Sequence, residues 1–367
     1  MIFLLAKVLI FLTSLYALAE DTITSHVIKN SEYDIKYRDI SSLTKQPVGV
    51  VIIAYNRPHY FRQLIRSLEQ NPESQTLPFY FLLDGGSRAK QAENADIIKQ
   101  SSIKYKEIIF RPRNYGYSKT VIDAYKFMFD WCNYKKIIFF EEDLVVSPHY
   151  IKLTLNLHEW ATSNYSNIGA VSCWSYCFLN KEAKAKLLNR VQEPSTGYWW
   201  SFVSYCLDND VWNEVGPLLY QYEEFIDQIP HTDEFAEARS ITKMWEGAPK
   251  IQAWTRALCL NKLQIDNKNP ILRFRTRPGK KVFPGLNMYR AIRDHYSPTG
   301  IASANEDAIM AFCFWLKGYI KIETVVNRIT HIGEVGLHYD ILNGFKTTID
   351  IFDEDAKLTT FKIKNKR

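Results

Sequence analysis

Residues 135–150 read KKIIFFEEDLVVSPHY, and the rest of the chain is best interpreted outward from them. The apolar run from Ile137 to Phe140 predicts a β-strand that is buried on both faces, as in parallel sheets covered by helices. Three carboxylates, Glu141, Glu142 and Asp143, follow this strand directly. Open α/β sheets bind ligands at the carboxyl ends of their strands, and hard oxygen ligands there suit Mg²⁺ or Mn²⁺ carrying a phosphate group.

An acidic strand end can also be a solvated loop, and three carboxylates alone do not separate the two interpretations. The residues that follow favour a ligand-binding turn. Ser147 is a candidate N-cap, and Pro148 fits the first turn of a new helix. The segment is therefore predicted to be a short strand-to-helix connection.

Strands and helices alternate through the first half of the chain. Runs of β-branched and aromatic residues predict strands, whereas apolar residues at helical spacing predict helices. The predicted strands are 48–54, 78–83, 107–110 and 137–140, and the predicted helices are 58–69 and 118–131. This alternation predicts an α/β fold with a mostly parallel, Rossmann-like sheet flanked by helices.

The second half departs from that rhythm. A strand is predicted at 168–173 and helices at 233–245 and 305–317, with an aromatic-rich segment at 197–212. Residues 268–298 carry eight Lys and Arg side chains among prolines and glycines, which predicts a long basic loop. Loops of this length in a compact domain are commonly functional lids or disordered segments.

Composition excludes several classes of protein. With 367 residues, 46% of them hydrophobic, the chain can bury a large core, so it is expected to be globular. The formal charge of +6 favours anionic ligands or surfaces, but no long basic run interleaves with aromatic residues as a nucleic-acid groove requires. The six cysteines show no zinc-binding spacing, and most are expected to be buried free thiols.

The amino terminus predicts a targeting segment. Residues 1–19 are apolar except for Lys7 and a few hydroxyls, and Ala17 to Ala19 fit a small-residue cleavage site. A cleaved signal peptide is the first interpretation, and a short signal anchor is the alternative because a membrane span needs about 20 apolar residues. We therefore expect a location in the secretory pathway or at a membrane: a Golgi-type lumen in a eukaryote, or the envelope or membrane in a bacterium.

Four segments in order carry a resemblance to a known fold family. They are Ile53 to Pro58, the strand that ends at Asp84, Arg113 to Ser118, and Phe140 to Leu144 followed by Ser147 and Pro148. Together they resemble the nucleotide-sugar half of a GT-A-fold glycosyltransferase. Their order is similar to that of bacterial family-2-type transferases and to that of the N-acetylglucosaminyltransferase I family, whose metal motif is an EDD triplet in the same setting.

The resemblance implies roles for the residues of this half. Asp143 would hold the metal, Mn²⁺ or Mg²⁺, and Glu141 would face the ribose. Glu142 stands where those families more often have Asp, so a second ligand role for its longer side chain is left open. Three further residues are candidates for the nucleotide, each with a simpler structural alternative: Asp84 for a uracil N–H, Arg57 for stacking or pairing, and Lys119 for a phosphate at a helix N-terminus.

Later segments extend the resemblance. Asn305 to Asp307 resembles the "ED" motif of those families at a helix start, which implies Asp307 as the catalytic base and Glu306 as the residue that orients the acceptor. An acidic N-terminal helix turn is the alternative. His331 is a candidate third metal ligand or phosphate contact, with His338 as a weaker rival. Trp199 and Trp200 are candidates for an acceptor platform, although aromatic residues more often belong to the core.

The sequence thus predicts a metal-dependent inverting glycosyltransferase that moves a sugar, with N-acetylglucosamine as the first donor sugar considered, from a UDP-sugar to a hydroxyl of a glycan or glycoconjugate. The alternative is a catalytically degenerate protein of the same fold that binds glycans or nucleotides. A nucleotidyltransferase is disfavoured because no Gly-rich, Lys-containing phosphate loop follows the first strand. The predicted divisions are 1–19 leader or anchor, 20–46 stem, 47–165 nucleotide-sugar half, 166–335 acceptor-binding and catalytic half, and 336–367 tail.

Overall fold

The protein is described by a computed structural model. The described residues are the backbone of 25–29 and 34–38, residues 40 and 44, and the ranges 46–175, 180–194, 202–228, 249–301, 306–333, 349 and 351–364. The predicted leader at 1–19 and the predicted helix at 233–245 lie outside these residues.

A mixed sheet of nine strands forms the centre of the described structure, in the order β13-β9-β11-β8-β10-β6-β3-β4-β5. Two small pairs, β1 with β2 and β7 with β12, lie apart from it. The strands are β1 Ser25–Lys29, β2 Asp34–Arg38, β3 Val48–Ala54, β4 Pro78–Leu83, β5 Tyr105–Phe110, β6 Lys136–Phe140, β7 Leu144–Val146, β8 Ile168–Ser172, β9 Arg190–Gln192, β10 Ser204–Asp208, β11 Ile320–Thr324, β12 Ile329–His331 and β13 Lys362–Ile363.

The parallel half of the sheet is the part that the sequence predicted. Strand β3 pairs in parallel with β4 on one side and with β6 on the other, and β4 pairs in parallel with β5. Every residue of β4 and the last four of β6 are buried, which explains their continuous apolar sequences. Three strands depart from the parallel expectation. Strands β9 and β13 run opposite to β11. Strand β10 runs antiparallel between β6 and β8, so Asp208 at its carboxyl end lies beside Lys136 and not beside the acidic turn.

Helices flank the sheet and follow the strands through the first half of the chain. They are α1 Pro58–Leu68, α2 Arg88–Gln100, α3 Tyr117–Tyr125, α4 Tyr150–Asn164, α5 Lys181–Ala185, α6 Asn209–Ile226, α7 Pro249–Lys268, α8 Leu286–Tyr296 and α9 Glu306–Leu316. The predicted helix 118–131 continues from α3 as a π-helix over Lys126–Trp131. The mixed α/β architecture with a large flanked sheet confirms the predicted fold class.

Two local predictions were wrong. Ser147 does not cap α4, because the helix begins at Tyr150 and His149 occupies the N-cap position. The stretch 268–298 is not a continuous loop, because it contains a 3₁₀ turn, Pro270–Arg273, and helix α8. Helix α8 buries Met288, Tyr289, Ile292 and Tyr296 at helical spacing, and its arginines obscured this pattern in the sequence.

The remaining expectations about burial hold for the described residues. Cys173, Cys206, Cys259 and Cys313 are buried free thiols, whereas Cys132 is a partly exposed one. In the part of the chain that the structure describes, every helix is too short or too polar to cross a membrane.

Candidate active site

The candidate site lies where β3, β4 and β6 end. Because these strands are parallel and in register, with Ala54 beside Leu83 and Ile52 beside Phe140, the residues after each strand meet at one edge of the sheet. Asp84 follows β4, Arg57 follows β3, and Glu141 follows β6. The arrangement is the one that the sequence predicted for the acidic turn.

Glu142 braces the turn after β3. Its Oε2 accepts a hydrogen bond from the Tyr55 backbone N–H at 2.6 Å, and its Oε1 accepts one from Arg57 Nε at 2.6 Å. The side chain is buried, and burial raises its pKa against the opposing charge of Arg57. Both carboxylate oxygens are engaged in holding the segment that leads into α1, so the structure places Glu142 in a bracing position.

Asp143 is the most buried carboxylate of the triplet, with 2% of its surface exposed. Its Oδ2 lies 2.8 Å from Arg57 Nη1 and 3.2 Å from His331 Nε2. Burial opposes ionisation, but the hydrogen bond with His331 and the charge of Arg57 outweigh it and lower the pKa of Asp143 to about 2. The carboxylate is therefore held as an anion inside the protein.

The pairing of β12 with β7 brings His331 to this site. In that antiparallel pair His331 lies opposite Leu144, the residue that follows Asp143 in the sequence. The Ile332 N–H donates to the Asp143 carbonyl at 2.8 Å. The backbone at Gly333 also passes close to both side chains, since a Cβ there would lie 2.4 Å from Asp143 Oδ2 and 2.8 Å from His331 Cε1. A glycine is thus needed for the chain to pass this close to the pair.

Asp143 and His331 fit a divalent metal by one structural observation. Asp143 Oδ1 is buried and has no hydrogen-bond partner among the described residues, which is an energetically costly state for a carboxylate oxygen unless a cation is nearby. An imidazole nitrogen and a carboxylate oxygen are both accepted ligands of transition metals. The described residues contain no group of three His, Cys, Asp or Glu side chains arranged around a metal, so these two would be joined by ligands from substrate or solvent.

Glu141 links the acidic turn to the start of α3. The Tyr117 hydroxyl donates to Glu141 Oε1 at 2.7 Å, and the preceding Gly116 has a φ of 81°, a left-handed conformation that favours glycine. Burial raises the pKa of Glu141 well above its usual range, and the nearby carboxylates of Asp143 and Asp307 raise it further. Tyr117 was not identified from the sequence, although its position after the Gly116 turn was a usable signal.

Asp84 is held at the end of β4 by several donors. It accepts a hydrogen bond from the Tyr115 N–H at 3.2 Å and lies 3.5 Å from Arg111 Nη1. Arg111 is also buried, and its Nη2 lies 2.5 Å from Asp123 Oδ2. Burial raises the pKa of Asp84 to about 6, although Arg111 opposes this. The nucleobase role of Asp84 stays a prediction.

Lys119 is engaged on the side of α3 that faces α6. Its Nζ forms a close ion pair with Asp227 and lies 3.9 Å from Glu223 Oε1. Both partners follow more than a hundred residues later in the chain, so they could not be recognised from the sequence around Lys119. The structure places Lys119 in an ion-pair cluster between helices, and a phosphate role would require it to leave these partners.

The first turn of α9 carries the other two candidate catalytic residues. Glu306 is buried, and neither of its oxygens accepts a hydrogen bond from a donor among the described residues. Burial, together with Asp307 and Glu141, raises the pKa of Glu306 well above its usual range. Burial likewise raises the pKa of Asp307 to about 7, against the charge of Lys321 and the Phe202 N–H. The carboxylates of Glu306 and Asp307 lie close enough to Glu141 to affect its pKa or be affected by it. Helix α9 therefore begins beside the acidic turn.

Lys321 on β11 was also missed by the sequence analysis. It is buried, its Nζ lies 4.7 Å from the centre of the Phe202 ring, and burial lowers its pKa against the charges of Glu323 and Asp307. A lysine inside the short strand sequence IKIET carries no signal that distinguishes it from a solvent-facing one.

Several predicted residues lie outside the described residues. They are Trp199, Trp200, Asn305 and His338. Trp212, the last residue of the aromatic-rich segment 197–212, is a core residue of α6. It is 1% exposed, and its Nε1 donates to Asp130 Oδ1 at 2.7 Å.

Comparison with solved structures gives likenesses of low score, of which three follow. The chain is similar to residues 1–349 of TarS from S. aureus, with 10% identity and a TM-score of 0.33 over 45% of this chain and 48% of that one. It is similar to a Pyrobaculum calidifontis mannosyltransferase solved with GDP-Man and Mn²⁺, with 10% identity and a TM-score of 0.34 over 56% and 54%. It is also similar to glucosyl-3-phosphoglycerate synthase from Mycobacterium tuberculosis, solved with Mn²⁺ and UDP, with 13% identity and a TM-score of 0.31 over 46% and 58%.

The matched parts span about half the length of those structures, and the scores are too low to transfer a substrate or metal to this chain. No curated protein matches the chain. The model of glycosyl transferase family 2 matches residues 49–171, about a third of the chain, which include β3 to β6 and the acidic turn. The resemblance to the N-acetylglucosaminyltransferase I family stays a prediction. Residues 49–171 are therefore similar to the glycosyl transferase family 2 domain, within a mixed α/β fold.

Proposed function

We propose that the protein is a metal-dependent, inverting glycosyltransferase that moves a sugar from a UDP-sugar to a hydroxyl of a glycan or glycoconjugate. N-acetylglucosamine is the first donor sugar to test, on the sequence resemblance alone. The proposal rests on one observation: Asp143 Oδ1 is buried and has no hydrogen-bond partner among the described residues, and the Asp143 side chain lies beside His331. Asp143 stands at the edge of the sheet where the parallel strands of the region matched by the family 2 model end. The predicted secretory or membrane location forms part of the proposal.

Asp143 and His331 would hold the metal. A bound divalent cation neutralises charge on the leaving diphosphate, which is the most direct way to stabilise that group. Arg57 lies against Asp143 Oδ2 and adds a second positive charge at the same edge, fixed by Glu142. Glu141 is positioned by Tyr117 to accept a hydrogen bond from a ribose hydroxyl.

Asp307 would act as the base. Inversion in one step requires a group that takes the proton from the acceptor hydroxyl as the new bond to the sugar forms. A carboxylate with a pKa of about 7 is a stronger base than an ordinary one and is still ionised in a large fraction of molecules at neutral pH. Glu306 is the neighbouring residue on α9, and burial raises its pKa well above its usual range. In its protonated form it would donate a hydrogen bond to the acceptor.

A second candidate function is favoured by the position of Arg57. Its guanidinium pairs with Asp143 Oδ2, the oxygen that also lies against His331, and both carboxylate oxygens of Glu142 are engaged. A protein in which Arg57 permanently replaces the metal charge would bind nucleotide or glycan without catalysing transfer. The two functions differ in whether nucleotide binding requires a metal.

Thermal stabilisation by nucleoside diphosphates, with and without Mn²⁺, tests the proposal. A ligand that binds the native state alone raises the unfolding midpoint. We expect UDP with Mn²⁺ to raise it, Asp143→Asn to lose the increase, and the exposed control Asp353→Asn to keep it. An increase with UDP that is independent of Mn²⁺ favours the binding protein, whereas no increase with any nucleotide contradicts the transferase and leaves a glycan-binding protein of the same fold.

Because Asp143 is buried and paired, its variant needs a check of folding by circular dichroism. His331→Ala, at a partly exposed position, provides a second test in which the fold is less disturbed. Transfer is then measured with UDP-sugars on a panel of simple glycosides. The anomeric configuration of the product, read by nuclear magnetic resonance, decides between inversion and retention.

A further inference from the structure

The segment from Leu260 to Leu286 carries an unusual share of the exposed apolar surface. Nine large hydrophobic side chains are exposed among the described residues, and six of them fall in this stretch. Ile271 is the most exposed, at 73%, and Leu272 follows it at 51%. The six are Leu260, Ile265, Ile271, Leu272, Val282 and Leu286. We call this set, with the exposed cations of the same segment, the Leu260–Leu286 surface.

The exposure is imposed by an ordered backbone. The Ser166 hydroxyl donates to the carbonyls of Arg275 and Lys281, at 2.7 and 3.2 Å, which holds these two parts of the segment side by side. Asn167 exchanges two hydrogen bonds with the backbone of Phe283, at 2.7 and 3.1 Å. The loop is thereby fixed to the end of α4 and the start of β8.

The segment also has its own buried anchors. Phe283 is fully buried, and its ring packs on Tyr165 with centroids 5.1 Å apart. The side chain of Phe274 packs on Tyr289 at 5.8 Å. Because these aromatic residues already attach the segment to the core, Ile271, Leu272 and Val282 are additional apolar groups that face away from it. Exposed aliphatic side chains carried by one segment of fixed backbone mark a contact surface.

Positive charge surrounds these apolar groups. Between Leu260 and Leu286 the sequence has seven Lys and Arg residues and one acidic residue, Asp266, so the segment has a formal charge of +6, equal to that of the whole chain. Asp266 is buried and paired with Lys262. Arg275 pairs with Glu214 and Arg277 lies 3.8 Å from Asp210, whereas the exposed Lys268, Lys280 and Lys281 form no ion pair with the described residues.

We propose that the Leu260–Leu286 surface docks the protein on an anionic lipid bilayer. Aliphatic side chains beside lysines and arginines are the combination that binds a membrane interface, with the apolar groups entering the acyl boundary and the cations pairing with lipid phosphates. The long lysine stems can lie along the apolar groups while their ammonium groups remain in the headgroup layer. A soluble polyanion would account for the lysines but leave Ile271 and Leu272 without a role.

Flotation of the full chain with lipid vesicles tests the proposal. We expect the protein to partition onto phosphatidylcholine vesicles that contain phosphatidylserine more strongly than onto phosphatidylcholine alone, and the difference to shrink as salt is added. Lys268→Gln with Lys281→Gln is expected to lower the partition coefficient on anionic vesicles roughly tenfold or more, since each cation near such a surface contributes strongly to binding. Ile271→Ser with Leu272→Ser is expected to lower it by a similar factor.

Matched controls come from other surfaces of the chain. Lys152→Gln with Lys357→Gln removes two exposed lysines elsewhere, and Ile351→Ser removes an exposed apolar residue elsewhere. Both controls are expected to float as the unchanged protein does, and all variants should keep its thermal midpoint. Because every protein compared carries the same apolar N-terminus, that segment cannot produce a difference between them.

Three results would overturn the proposal. One is equal partitioning on neutral and anionic vesicles. Another is that both variants in the surface float like the controls, which would assign any binding to the N-terminal segment. The third is that the lysine variant loses binding to a soluble polyanion such as heparin while the Ile271 and Leu272 variant keeps full vesicle binding, which would make the partner a polyanion. The readout does not involve sugar transfer, so failure here is separate from failure of the proposed enzyme activity.

Discussion

His331 Nε2 lies 3.2 Å from Asp143 Oδ2, although the two residues belong to different halves of the sequence. The short pair of β7 and β12 makes this contact, since His331 stands opposite Leu144 in its register. The contact joins the acidic turn, which lies in the region that matches the family 2 model, to a segment beyond that region. The C-terminal half of the chain thus takes part in the site directly.

His331→Ala is expected to weaken Mn²⁺ binding in the presence of nucleotide and to lower transfer activity by about 10- to 100-fold, as loss of a ligand or its orienting partner does in metal sites. His331 is partly exposed, so global stability should change little. Titration of Mn²⁺ against the UDP-dependent shift of the unfolding midpoint measures the effect. His149→Ala, at the start of α4, is the histidine control and should titrate like the unchanged protein. Equal Mn²⁺ affinity in both variants would remove His331 from the metal site.

Gly333→Ala is expected to disturb the same pair from the other side. The new methyl group would come within 2.4 Å of Asp143 Oδ2 and 2.8 Å of His331 Cε1, so one of the two side chains must move. We expect weaker Mn²⁺ binding with little loss of secondary structure. Gly279→Ala is the control: nothing lies within 4 Å of its Cβ, but its φ of 75° strains an alanine, so stability falls without an effect on Mn²⁺. Unchanged Mn²⁺ affinity in Gly333→Ala would show that the site lies elsewhere.

The predictable part of the site follows from strand geometry. Parallel strands end at one edge, so Asp84, Glu141 and Asp143 could be placed together from the sequence, and the structure does bring them to that edge. The sequence could not predict which way the side chains of the residues after each strand point. Glu142 and Asp143 are neighbours in sequence, yet one braces Tyr55 and the other faces His331.

Contacts between distant segments were equally hidden. Lys119 was expected at a phosphate because it lies at the start of a helix after a glycine turn. Its partners are instead Glu223 on α6 and Asp227 just after that helix. Their approach depends on how α6 packs against α3, and a single sequence does not contain that information. The same reason explains why the buried Lys321 near Asp307 was missed.

Glu142→Asp is expected to destabilise the protein even though aspartate is the residue that the resembled families more often have here. The shorter side chain cannot reach both the Tyr55 N–H and Arg57 Nε, each now at 2.6 Å. Loss of one buried, charge-assisted hydrogen bond costs about 1 to 3 kcal/mol. Urea denaturation measures the free energy of unfolding. Glu182→Asp on α5 is an exposed control expected to change stability by less than about 0.5 kcal/mol. Equal stability of the two variants would mean that Glu142 does not brace this turn.

Transfer activity is expected to rise with pH through neutrality. Burial raises the pKa of Asp307 to about 7, so the carboxylate is protonated and unable to accept a proton at lower pH. Below that value kcat/KM should fall about tenfold per pH unit, with a plateau above it. Asp307→Asn should abolish the dependence together with most of the activity. A flat profile between pH 5 and 8, roughly the range in which such a base titrates, would contradict this role for Asp307.

The C-terminal segment is expected to stabilise the site through a buried ion pair. Arg328, just before β12, donates from Nη2 to Asp355 Oδ1 at 2.7 Å and from Nε to Asp355 Oδ2 at 3.0 Å, and both side chains are almost fully buried. The backbone of Arg328 also binds the neighbouring strands, since its carbonyl accepts from the Ser147 N–H and its N–H donates to the Cys173 carbonyl. The pair therefore fixes the segment that presents His331.

Asp355→Ala is expected to lower the free energy of unfolding by about 3 to 5 kcal/mol, because it leaves the Arg328 guanidinium buried without its counter-charge. Arg328→Met with Asp355→Leu should be much less destabilising than Asp355→Ala, since it leaves no unpaired charge. Urea denaturation of Arg328→Met, Asp355→Leu and the double variant gives the coupling energy. A loss of less than about 1 kcal/mol in Asp355→Ala would show that the Asp355 pair adds little, and that β12 is held by its backbone contacts with β7, Ser147 and Cys173.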